Sequence, residues 1–140
     1  MITDGEKILL QETLKAANKG ILKIENFLSN VENEDLNKDL NRQLNRLHKV
    51  ADKSKKELKK EGFETELSEW TKSANVLVKV TNYFSDKEIA HEIIHECITS
   101  VDNISEVLAN QESISGNSYK LATDLIADES DYINILKAYL

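Results

Sequence analysis

The most pointed chemical pattern in this chain is His91-Glu92-Ile93-Ile94-His95. On a helix, two histidines four positions apart share a face and can hold one divalent ion, zinc above all. The glutamate between them then serves as the base that activates bound water. A working site also needs a third protein ligand and a dry, enclosed cleft. The phase of the neighbouring apolar residues argues against that setting. Ala90, Ile94, Cys97, Val101, Ile104 and Leu108 step by three and four, which makes them the buried stripe of their helix. Counted from that stripe, His91 and His95 fall on its flank and Glu92 points away. No further histidine follows, and no downstream glutamate stands out as a third ligand. The expectation is an exposed pair that binds divalent metal weakly and incidentally, with no catalytic residue.

Glu129 is the opposite case, a lone carboxylate in a buried phase. Leu125 lies four residues before it and Tyr132 three after it, with Ile126 and Ile133 close by. A carboxylate there must be hydrogen-bonded, paired or protonated, because burying it bare costs several kcal/mol. Tyr132 or His48 is its expected partner. Cys97, also on a buried stripe, reads as an inert thiol, since apolar burial raises its pKa. Trp70, Tyr83 and Phe84 read as packing residues. The chain carries no Gly-rich phosphate loop, no Ser/His/Asp arrangement and no nucleotide fingerprint.

The elements that must position these residues are helices. Leu10, Leu14, Ala17, Ile21, Ile24, Leu28 and Val31 step by four and three in turn, and similar stripes recur to the C-terminus. There is no proline, and the glycines are four, so little interrupts them. The first helix is expected from Thr3 or Asp4 to Ser29–Asn30, with Gly20 at its edge where a neighbour can approach closely. Asn33-Glu34-Asp35 forms a turn that caps a second helix carrying Leu36, Leu40, Leu44, Leu47, Ala51, Ser54 and Leu58. Gly62 ends that helix in a left-handed cap, after Lys59 and Lys60.

A third segment, from Glu66 to Phe84, has a strand-like Val76-Leu77-Val78-Lys79-Val80-Thr81 stretch but helical spacing of Leu67, Trp70, Ala74, Leu77, Thr81 and Phe84. It is read as helix. Ser85 and Glu88 form a capping box that starts the next helix. After a loop over Asn110–Asn117, a last helix carries Ala122, Leu125, Glu129, Tyr132, Leu136 and Tyr139. Leu14, Ile21, Leu44, Leu47, Ile94, Val101, Leu125 and Leu136 are expected to be buried together. The outer two helices at each end pair as hairpins. The third segment is then long enough to cross the bundle between the second and third bundle helices, with a plain up-and-down five-helix array as the other arrangement.

At 140 residues the chain is sized for one domain, spanning 1–140, with 40% hydrophobic and 31% charged residues. A net charge of −7 and a pI near 5.0 count against nucleic acid or an anionic membrane as a partner. The one basic cluster, Lys53 to Lys60, is laced with Asp52 and Glu57 at i,i+4 spacing and reads as a solvated face. A single cysteine allows no internal disulfide. No signal peptide or membrane span is visible, so the expected location is cytoplasmic.

The run Asn41-Arg-Gln-Leu-Asn-Arg-Leu-His48-Lys-Val-Ala-Asp, closing on Leu58-Lys-Lys-Glu-Gly62, resembles the second helix of ferritin-like proteins. The tail from Leu121 to Leu140, with Glu129 and Tyr132, resembles their fourth. The whole chain is similar to a group of small ferritin-like proteins from Firmicutes, near the DUF2383-type domains. The resemblance implies an all-α, ferritin-like four-helix bundle with a fifth, crossover helix. It also implies a di-metal site built from one Glu on each of two helices and an ExxH pair on each of the others.

This sequence departs from that pattern. His48 matches the second-helix histidine, but Asn45 stands where its glutamate belongs. Glu129 matches the fourth-helix glutamate, but Tyr132 replaces the histidine. Glu12 or Glu25, and Glu92 or Glu96, are poorly phased to complete the set. The reading that follows is a non-catalytic bundle with a degenerate metal site and no resident cofactor, acting through its surfaces. Apolar positions beyond one stripe, Leu22, Phe27, Val50, Val76, Val80 and Ile98 among them, must be covered by the crossover helix or by a second copy in a homodimer. The alternative is a protein that binds iron, manganese or zinc through His48 and Glu129, or through His91 and His95.

Overall fold

Capping chemistry sets the helix boundaries. The computed structural model describes residues 1–63 and 84–140, and α1 (Asp4–Leu28) opens on Thr3, whose side chain accepts from the Glu6 amide while Glu6 reaches back to the Thr3 amide. This capping box, not anticipated from sequence, satisfies two otherwise free first-turn donors. A short turn leads to α2 (Glu34–Lys60), where Asn33 Oδ1 accepts from the amides of Asp35 and Leu36 at 2.8 and 3.1 Å, as its residue type predicts. At the far end of α2, Gly62 adopts φ +79 and the Phe63 amide returns to the Leu58 carbonyl at 3.0 Å. Only glycine takes that left-handed turn without strain, and the helix stops there.

The expected Ser85/Glu88 capping box starts α3 (Asp86–Asn110). The following loop is shorter than expected, because α4 already begins at Gly116 (Gly116–Leu136) and ends in one 3-10 turn, Lys137–Tyr139. Among the described residues the fold is all-α, four helices packed side by side with no strand. None of its described helices is long and apolar enough to cross a membrane. The helix expected over Glu66 to Tyr83 lies outside the described residues; Phe84, its last expected member, is not helical.

Side-chain bonds at the two ends fix how the helices run. The Asp86 carboxylate accepts from the amides of Glu32 and Asn33, tying the start of α3 to the α1–α2 turn. At the opposite end, Thr3 Oγ1 donates to the Ser113 carbonyl and Ser118 Oγ donates to Glu6, tying the α3–α4 loop to the start of α1. Hence α1 and α4 run one way and α2 and α3 the other. Helix α1 packs on all three others, and α4 packs on α2 and α3. Phe63 lies beneath the Lys7 ammonium, 3.9 Å from its ring centre, near the start of α1. Phe84 meets Phe27 edge-on near the end of α1, with centroids 5.4 Å apart. The residues flanking 64–83 therefore sit about 30 Å apart along α1, the rise from Lys7 to Phe27.

The core holds Leu14, Ile21, Leu47, Ile94, Leu125 and Leu136, as expected. Two members of the expected set are only half-buried: Leu44 and Val101. In each case the neighbour one position earlier takes the inward place, Gln43 on α2 and Ser100 on α3. Polar residues at stripe positions misled a count made on apolar residues alone. Gly20 does permit the close approach inferred for it, since a Cβ there would lie 2.8 Å from Leu47 Cδ1.

Candidate functional site

Glu129 occupies the middle of the bundle. Helix α4 sets its phase, with Leu125 before it and Tyr132 after it facing the same interior, and it is 4% exposed. Its partner is not Tyr132 or His48, as the sequence suggested, but Gln43, 2% exposed on α2, whose Nε2 donates to Glu129 Oε1 at 3.4 Å. His48 is turned outward on the same helix and lies 3.7 Å from Glu25 on α1, both half-exposed. The expected pairing of His48 with Glu129 is thus corrected: they are on different faces of the bundle. Five residues along an α-helix advance it by well over a full turn, so Gln43 and His48 cannot share a direction.

A small cavity of about 10 Å³ borders this carboxylate, lined among others by Gln43, Glu96, Cys97, Ser100, Glu129 and Tyr132. Burial pushes the Glu129 carboxyl above the ordinary carboxylate range. The Cys97 thiol and the Gln43 amide favour the charged form and oppose that shift, while Glu96 adds to it. Burial likewise raises the Cys97 thiol and the Tyr132 phenol, each with Glu129 contributing. All three groups are therefore held toward their neutral forms, and Cys97 has no thiolate to offer as nucleophile. Tyr139 is a different case at the bundle end. Desolvation and a hydrogen bond to Asp39 push its phenol up to about 12.

The other candidate ligands are scattered. His91 and His95 are exposed on α3, in line with the stripe count. Glu92 does not point away from the bundle: its carboxylate lies 3.5 Å from the Lys23 ammonium of α1. Glu96 reaches the same ammonium at 3.8 Å and also borders the cavity. The count placed Glu92 on the side away from the bundle, whereas Lys23 of α1 reaches across to it and to Glu96. Glu12 lines an open polar groove with Lys15, Asn103 and Glu106, and Glu25 faces His48. Among the described residues no three His, Cys, Asp or Glu side chains stand close enough to hold a metal ion. A cluster of one carboxylate, one amide, one thiol and one phenol can accept and donate hydrogen bonds and carry a proton.

Sequence counting missed Gln43, although its signal was present. Leu36, Leu40, Gln43, Leu47, Ala51, Ser54 and Leu58 are buried in steps of four and three, and substituting Gln43 for Leu44 restores the stripe. Comparison with models of protein families, with curated proteins and with solved structures finds no match.

Proposed function

We propose that this chain is a ferritin-like helical bundle with a degenerate metal site, acting without catalysis through its protein surfaces. The observation that carries this reading is the company Glu129 keeps. The buried carboxylate faces an amide on α2, a thiol on α3 and a phenol on its own helix. Hard iron or manganese ions need several inward carboxylates to offset their charge and desolvation, and imidazoles to complete the shell. The polarity of the four helices supports the ferritin-like arrangement, with two antiparallel hairpins whose linking residues leave and return at opposite ends.

On the outer face of α3, His91, His95 and Ile98 share one exposed stripe, with Ile98 45% exposed. A second copy of the chain is the partner this reading assigns to such a face, in the cytoplasm. Metal analysis of protein purified without a histidine tag tests the degenerate site, with His48→Ala and Glu129→Gln as controls. The expected outcome is substoichiometric metal in all three proteins. Stoichiometric iron, manganese or zinc that both substitutions remove would establish the metal-binding alternative. Sedimentation velocity tests the surface: self-association that Ile98→Asp weakens is expected, and a monomer at all concentrations would overturn the homodimer.

A further inference from the structure

Among the described residues, three oxygens inside the bundle are buried without a hydrogen-bond partner: Glu129 Oε2, Gln43 Oε1 and the Tyr132 hydroxyl. Their residues are 4%, 2% and 3% exposed, and all three line the cavity of about 10 Å³. Leaving a buried polar atom unpaired forfeits its hydration with no return, so three such atoms around one space point to an occupant. The space admits about one water-sized sphere, and a buried water characteristically makes about three hydrogen bonds.

We infer that this cavity is a binding site for a single ordered water molecule that bridges the free oxygens of Glu129, Gln43 and Tyr132. The donors and acceptors balance. A neutral Glu129 carboxyl and the Tyr132 hydroxyl each donate to the water oxygen, and one water O–H donates to Gln43 Oε1. The second water O–H faces the remaining lining, where Cys97 sulfur and Ser100 oxygen accept. Lys23 and Glu96, with side chains 21% and 19% exposed, border the same cavity on a partly solvated side. A metal cation fits poorly, since among the described residues Glu129 is the only nine-tenths-buried carboxylate there.

The test is a high-resolution crystal structure of chelator-treated protein, with anomalous diffraction measured at the iron, manganese and zinc edges. The expected result is one spherical peak within hydrogen-bond reach of the three oxygens and no anomalous signal. A dry cavity, an anomalous peak, or density larger than one water would each overturn the inference. In solution, ¹⁷O magnetic relaxation dispersion should count one long-lived water in the wild type. Tyr132→Phe, which removes one bond and keeps the ring, should reduce that signal. An unchanged signal in a folded Tyr132→Phe protein would place the long-lived water elsewhere and overturn the assignment.

Discussion

The interior around Glu129 and the outer face of α3 around His91 and His95 invert what their residue types advertise. The outer face carries a motif associated with zinc chemistry, yet both imidazoles are exposed and the glutamate between them pairs with Lys23. The interior carries no motif, yet there burial shifts the ionisation of three side chains at once. Water is the difference. Exposed groups interact at high dielectric and lose little when a partner is removed, whereas a carboxylate enclosed by the bundle must be satisfied by what the fold places beside it. Burial, more than residue identity, decides which region has unusual chemistry.

If that contrast holds, substitutions should fall in a graded order. Leu47→Ala, which empties the space packed against Gly20 where both residues line the cavity, should destabilise by about 2–5 kcal/mol in denaturant unfolding. A near-neutral result would mean that the interior is loosely packed and that the contrast fails. Val101→Ala, at a half-buried position of α3, should cost about 1 kcal/mol, since fewer of its methyl contacts are lost.

Glu129→Gln should be tolerated at neutral pH, because the amide keeps an acceptor and removes a desolvated charge. Its pH signature is more specific. The folded-state pKa is raised, so in that window the native protein holds a proton that the unfolded chain has released. Glu129 then costs nothing at pH below the ordinary carboxylate range, and wild-type stability falls as pH rises through the raised value. Glu129→Gln should flatten that fall in urea midpoints measured across pH. The same slope in both proteins would show that Glu129 titrates as a solvated group. At the small end, His91→Ala combined with His95→Ala should shift stability by no more than about 0.5 kcal/mol. A larger loss that chelator reproduces in the wild type would return metal chemistry to that face.

Most of the fold was legible because apolar spacing and capping residues act locally. Asn33, Gly62 and Ser85 each announced a helix end by side-chain chemistry confined to a few neighbours. The interior site was legible only in part. Glu129 could be placed by phase, but its partner could not, since Gln43 is 86 residues away in sequence and its amide disguises a stripe position. Glu92 and Glu96 were misplaced for a related reason. Phase on one helix says which side is apolar, while the reach of Lys23 across from α1 depends on packing that no single helix encodes.

The central place of α1, packed against each of the other described helices, carries a consequence for how the chain is made. During synthesis α1 and α2 emerge first and can close their hairpin early, because their contacts are near in sequence. The sides of α1 that α3 and α4 will cover stay wet until the last quarter of the chain has left the ribosome. Synthesis at roughly 5–20 residues per second leaves that apolar surface open for several seconds. A nascent chain halted at Phe63 should therefore bind a hydrophobic dye and melt without cooperativity, while release of α4 should quench the dye and bring a single sharp transition.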